Sequence, residues 1–493
     1  MSQSIYFSIK IKTTDKDDQR GMVVHIPHDP ARLPGERIKG LTEAARTFAT
    51  TVGGKLRTEM LVAPPADLDL RPVSDYLWGD GSLNPDRLVR HLADYFAGRK
   101  PHRFQPKVGM TVIMEEEFIG RKPTLAKLEE HLASRQSCHL RAPRRYGKSS
   151  LMGRLVAKLE NAIMLELSDV GTLPGFLKML LRSCMRHEIA RPVLHQLAAF
   201  KSWAQEASHD NFSQLFNAEF AELIRNISFA KLKELIKETM TALADAQIIL
   251  LVDEFSLFLR DMHERDPSEL TIFLNIYHDL RTRHEHPLIT VFAGSAGLST
   301  YIELYGMHEQ FDDLIQVDVL PVRSVEARLL AEELFYGMEK LPAPEVLGRL
   351  VALTGNDDTV PYFVQALASY TAEQAGQRQE ISTSDVELAY YDRLLGPQGN
   401  VCFRDFILRE RAYPDDYRKC ASPILKKLSQ SQVVISEDEL LQLCKAGCDF
   451  NKLMTCLEED YDLVHEAAGW RMRSRVIADR WRLGEPWLTV GDN

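Results

Sequence analysis

The sequence contains no uninterrupted apolar stretch of about eighteen residues, and Met1-Ser2-Gln3-Ser4-Ile5 has neither the basic patch nor the apolar segment of a secretory leader. A cytoplasmic protein with no role at a membrane is expected. Cysteine is sparse: seven residues, an odd number scattered over 493 positions, make no disulfide framework and suit a reducing compartment. Cys444, Cys448 and Cys456 are the one group close enough in sequence to test as a metal site. Their spacing is equally that of an apolar helix face, and no fourth ligand stands beside them, so buried thiols are the preferred reading. Positive charge is also short. With 60 Lys and Arg against 70 Asp and Glu, the net of −10 argues against a surface coated for nucleic acid, although a local patch can hide beneath it.

What is present is globular in character, with 45% hydrophobic and 26% charged residues, and the length calls for several domains. The stretch around which the chain is organised is Arg141-Ala142-Pro143-Arg144-Arg145-Tyr146-Gly147-Lys148-Ser149-Ser150. It meets the phosphate-loop pattern Gly-x-x-x-x-Gly-Lys-[Ser/Thr] except at its first glycine, which is Ala142. In such a loop, backbone N–H groups wrap phosphate, Lys148 adds a point charge, and Ser149 offers a hydroxyl to Mg²⁺. Gly147 is required where the chain turns sharply. A short alternating segment, 137–141, precedes the loop, and residues 150–159 carry apolar side chains at helical spacing, so the loop has the strand and helix it needs.

A second motif pairs with the first. In Ile248-Ile249-Leu250-Leu251-Val252-Asp253-Glu254 an apolar run ends in two carboxylates, the pattern of a buried parallel strand whose C-terminal edge delivers acids to a site. Asp253 is placed for the Mg²⁺ shell and Glu254 to orient a water for attack on a γ-phosphate.

Other strands are expected at 163–168, 288–293 and 315–321, with a helix-rich insertion over 173–246. Residues 1–106 read as a separate α+β unit, with strands at 5–11 and 22–26 and helices at 37–52 and 85–97. The core is expected over 107–321 and a helical region over 322–396, with helices at 326–339, 344–353, 360–375 and 384–395. The last of these is expected to open on a Ser384-x-x-Glu387 capping box. After Gly396-Pro397, residues 397–493 show three helical runs, 417–428, 437–446 and 451–461, then a hairpin, which is the pattern of a winged helix. Its third helix carries Glu458, Glu459 and Asp460, a face that repels phosphate, and leaves Arg471, Arg473 and Arg475 as the basic group. A protein-contact or autoinhibitory role is therefore favoured over DNA reading.

Phe118-Ile119-Gly120-Arg121, followed by Pro143-Arg144-Arg145-Tyr146-Gly147-Lys148-Ser149-Ser150-Leu151, resembles the archaeal-type ATPases, a STAND branch of the AAA+-related P-loop proteins. The resemblance implies an α/β P-loop core with strand order 5-1-4-3-2, a helical lid and a C-terminal winged helix. It also implies ATP rather than GTP, with Gly120 and Arg121 against base and ribose. Ser295 would read the γ-phosphate, and Pro361 would line the nucleotide, although Asp357 to Val360 separate it from Gly355. Arg144 and Arg145 are the nearest groups to stabilise charge. An ATP-hydrolysing switch, acting through self-assembly or a protein partner in signalling or anti-phage defence, is the implied function. A DNA-remodelling ATPase or winged-helix regulator is the alternative.

Overall fold

Apolar segments too short to span more than one layer, each ending in a polar loop, fix the architecture. The computed structural model describes residues 4–12, 19–27 and 57–62 as backbone, and 104–108, 117–197, 228–294, 297–338, 340–403, 413–431, 433–444, 448–461 and 463–483 in full apart from a few side chains. The chain divides into two compact units. In the first, β1 (Ser4–Lys12), β2 (Gln19–Pro27) and β3 (Arg57–Val62) form an antiparallel sheet in the order β2-β1-β3. The helices expected at 37–52 and 85–97 lie outside the described residues.

The second unit holds a five-stranded sheet of β4 (Cys138–Arg141), β5 (Ala162–Glu166), β6 (Ile249–Asp253), β7 (Thr290–Phe292) and β8 (Ile315–Asp318). All its pairings are parallel and its order is β5-β6-β7-β4-β8. Counted from β4 this is the expected 5-1-4-3-2. Every residue of β6 is buried, as an apolar strand covered on both faces must be. Around the sheet lie α1 (Lys122–Ala133), α2 (Lys148–Lys158), α3 (Leu173–Met185), α4 (Ala190–Gln196), α5 (Phe229–Asp245), α6 (Phe255–Arg265), α7 (Pro267–Arg281) and α8 (Leu298–Tyr305). The described parts of the 173–246 insertion are thus helical. One face of the sheet is packed with rings, Phe255 on Phe292 at 4.4 Å and Phe176 on Phe273 at 4.9 Å, each buried ring contributing about 2 kcal/mol. That packing lies under β6 and β7, from whose ends the loops of the site depart.

Four helices continue the chain: α9 (Ser324–Gly337), α10 (Pro344–Thr354), α11 (Pro361–Ala375) and α12 (Thr383–Leu388). β9 (Leu341–Pro342) and β10 (Glu380–Ile381) pair in parallel within the first unit. The capping box sits two residues earlier than the sequence suggests. Ser382 Oγ accepts the Asp385 N–H at 3.2 Å, and Asp385 accepts the Ser382 N–H at 2.9 Å. Glu387 is drawn away to Arg349, at 2.8 Å, which is why the Ser384 register loses.

The chain closes with α13 (Asp415–Gln430), α14 (Glu437–Leu441), α15 (Phe450–Tyr461), a hairpin of β11 (Leu463–Glu466) and β12 (Gly469–Met472), and α16 (Arg475–Arg482). Ile435 exchanges two backbone hydrogen bonds with Trp470, at 2.9 and 2.8 Å, adding a third short edge to the hairpin. Gly469 permits this approach: a Cβ there would stand 2.0 Å from the Ile435 carbonyl oxygen. Among the described residues no helix is long and apolar enough to cross a membrane.

Candidate functional site

The loop between β4 and α2 is shaped by backbone torsion. Gly147 caps α2 at φ +86°, in the left-handed region where a side chain costs about 1 kcal/mol or more. Arg145 adopts φ +71° without being glycine, and its guanidinium lies 4.6 Å from the centre of the Tyr362 ring, a cation–π contact that helps to hold it. Ala142 has no positive φ, so the backbone at this position accepts a Cβ where the usual loop has glycine. Lys148 is buried, and its ammonium donates to the carbonyl oxygens of Ala142 and, at 3.0 Å, Pro143. The loop thus holds its own lysine in place.

Opposite stands the acid edge of the sheet. Asp253 is buried to 1% exposure and takes a hydrogen bond from Ser149; burial raises its pKa, and that hydrogen bond and the charge of Lys148 oppose the rise. Glu254 follows at φ +56°, a left-handed non-glycine residue at the N-terminus of α6, and its N–H donates to Asp253 Oδ1 at 3.0 Å. Strain at this position is the kind that surrounding structure sustains at functional sites. Sequence reasoning missed Glu166, the last residue of β5, which stands in register with Asp253. Desolvation first, then Asp253 and Glu254, push its carboxyl up to about 7. An acid closing the neighbouring strand was the available signal.

These groups open on a cleft of about 240 Å³ whose walls include Arg121, Arg144, Arg145, Tyr146, Gly147, Lys148, Ser149, Ser150, Asp253, Glu254 and Pro361. Gly120, Ala142 and Pro143 do not line the cleft, and Ser295 lies outside the described residues. Gly120, at φ +76°, turns the chain so that Arg121 enters the interior. There the Arg121 guanidinium donates to the carbonyls of Leu320 and, at 2.7 Å, Tyr146; burial lowers its pKa to about 10. Further walls come from residues beside the expected ones, of which Leu330 and Gln365 were not anticipated. Phe118, Ile119 and Leu330 give the cleft apolar surface, and Tyr362 and Gln365, one turn into α11, give it polar groups. Gln365 accepts the Lys107 N–H at 2.7 Å, and the Lys107 ammonium pairs with Glu117.

Behind the loop lies the acidic stretch of α15. Glu458 pairs with Arg141, the last residue of β4, at 2.9 Å. Glu459 is 3% exposed, and burial, then Asp460, raise its pKa to about 7 against the pull of Arg141, Ser299 and Lys148. Gly297 allows this approach, since a Cβ there would come within 2.2 Å of Glu459 Cδ. Arginines of the hairpin and of α16 are engaged too: Arg471 with Glu466 at 2.6 Å and Asp358 at 3.4 Å, and Arg475, which opens α16, with the Ala352 carbonyl at 2.9 Å. The expected thiol group is different in composition. Cys456 is buried on α15, whereas Cys444 and Cys448 meet Cys420 of α13, because α14 ends at Leu441 and the spacing assumed for a continuous helix face does not hold.

No known protein family matches the sequence, and no curated protein does. Among solved structures, a Walker-type ATPase of Pyrococcus abyssi superposes with a TM-score of 0.50 at 18% identity, covering 76% of this chain and 99% of the other. The ORC2 protein of Aeropyrum pernix gives 0.44 at 11%, covering 77% and 93%, and the RuvB branch migration motor of Thermotoga maritima gives 0.36 at 13%, covering 73% and 94%. The chain has the parallel α/β fold of the P-loop nucleoside triphosphatases. At 18% identity, what it has in common with the Pyrococcus protein is that fold.

Proposed function

We propose that the chain is an ATP-hydrolysing switch whose C-terminal segment receives the nucleotide state. The observation that carries this reading is the meeting, in one cleft, of Lys148, Ser149 hydrogen-bonded to Asp253, and Glu254. Hard oxygens from a hydroxyl and carboxylates are the donor set that Mg²⁺ prefers, so Ser149 and Asp253 fit that ion. When bound, the ion supplies charge neutralisation to the transferring phosphoryl group. Lys148 exchanges its loop carbonyls for phosphate oxygens, and the loop N–H groups hold the remainder. Glu254 orients the attacking water and accepts its proton. Arg144 and Arg145 border the same space, and Ser295 is assigned the γ-phosphate by resemblance alone. Phe118, Ile119 and Tyr362 are suited to a planar base, with Arg121 bracing Tyr146 beneath the phosphates.

In this reading residues 322–396 act as the lid and 397–493 as a winged helix. Support for a protein-contact role comes from α15, whose acids face Arg141 and the start of α8, and from arginines of the hairpin and of α16 that are internally paired. A partner, or a second copy of the chain, would compete for those contacts. The membership in the STAND branch and the cytoplasmic location belong to the same proposal.

The test is phosphate release by the wild-type protein, with light-scattering mass of Glu254→Gln measured in ATP-Mg²⁺ and in ADP. Turnover that is lost in Glu254→Gln, with ATP binding retained, supports the proposal. A mass that rises only with ATP makes the output self-assembly. Absence of turnover in the wild type in ATP-Mg²⁺, with ATP bound, would sink the enzymatic part.

A further inference from the structure

Three of the seven cysteines converge outside the nucleotide cleft. Cys420 lies within α13; Cys444 follows α14 and Cys448 precedes α15. Their sulfur atoms all stand within 4.8 Å of one another, with Cys420 buried and the other two half-buried. Tetrahedral thiolates at about 2.3 Å from a zinc ion are separated from each other by about 3.8 Å, inside that limit. A disulfide needs two of these sulfurs and leaves the convergence of the third without a cause. The three-residue spacing of Cys444 and Cys448 also falls within the range found for paired thiolate ligands of one zinc ion.

We propose that Cys420, Cys444 and Cys448 bind one zinc ion as thiolates, with water in the fourth position. Lys445, Ala446 and Gly447, between Cys444 and Cys448, bring no thiol or imidazole to that position. Binding displaces one proton from each thiol, so three protons leave for each ion taken up and affinity weakens as the pH is lowered. The ion would cross-link α13 to the segment just before α15, the helix whose acids meet Arg141 and Gly297. On the proposed reading of α15 as a contact surface, it would fix that surface without touching nucleotide.

The experiment is zinc stoichiometry by mass spectrometry on the full chain, purified under reducing conditions without chelator. The expected result is about one equivalent, falling roughly tenfold in Cys420→Ser and in Cys448→Ser and unchanged in Cys456→Ser. Because a serine variant can misfold, the wild type is also stripped with a chelator. Its melting temperature should drop and be restored by Zn²⁺ and not by Mg²⁺. Zinc retained equally by Cys420→Ser, an adventitious ion only, would overturn the proposal. So would a stripped, folded protein that takes up no zinc, or a Cys444–Cys448 disulfide in the reduced preparation.

Discussion

The Asp460 carboxylate of α15 accepts the backbone N–H of Gly297, at the start of α8, at 2.9 Å, and the Tyr413 hydroxyl at 2.7 Å. One buried acid thus joins the closing helices to the segment that follows β7. Asp460→Ala leaves those donors without an acceptor inside the protein, at about 1–3 kcal/mol for each buried group. The expected outcome is a lower denaturant midpoint with an unchanged slope, and a larger loss for Asp460→Ala than for Asp460→Asn, which keeps one acceptor oxygen.

Its neighbour Glu459 makes stability depend on pH. The folded pKa, about 7, lies above the ordinary 4.5, so the folded chain holds the proton more tightly than the unfolded one. This contribution is fully present below pH 4.5 and is lost as pH rises through 7. For a fully buried carboxyl a shift of this size corresponds to on the order of 3 kcal/mol. Glu459→Gln should remove that decline, which unfolding curves at pH 5, 6 and 7.5 would reveal; an identical pH profile in the variant would contradict the assignment.

Hydrolysis and binding should separate between two residues of the cleft. Glu254→Gln is expected to retain ATP and to lower single-turnover phosphate release by about 10²–10⁴-fold. Lys148→Ala should instead lose ATP itself, since the phosphates forfeit their point charge; equilibrium binding of a fluorescent ATP analogue checks this. Equal loss of binding in both would remove Glu254 from the chemical step.

Arg121 tests whether a buried guanidinium can be replaced by charge alone. An ammonium cannot span the carbonyls of Leu320 and Tyr146 in the same geometry, so Arg121→Lys should cost about 1–3 kcal/mol, read from thermal or denaturant unfolding. Nucleotide affinity should weaken with it, because Tyr146 belongs to the loop.

That Lys148 and Asp253 would border one cleft was legible because each rests on local signals, a glycine before a lysine and an apolar run that stops at an acid, whereas the strand order followed from the family resemblance. Glu166 was not, since its significance lies in its register with Asp253, a relation between strands more than eighty residues apart in the chain. The same holds for Cys420, which reaches Cys444 and Cys448 only once α13 and the later segment are packed together. The acidic stretch 458–460 was legible as a cluster of charge, but that it meets Arg141 and Gly297 inside the protein depended on tertiary contacts. The capping box slipped because Ser382 and Ser384 both offer a hydroxyl, and a distant arginine decided between them.

The rigid planar head of Arg121 bridges two points far apart in sequence, one in the phosphate loop and one just past β8. A guanidinium has no joint between its nitrogens. One side chain therefore rivets the β4–α2 loop to the segment that leads from β8 into α9, and its removal would leave both carbonyls without that donor at once.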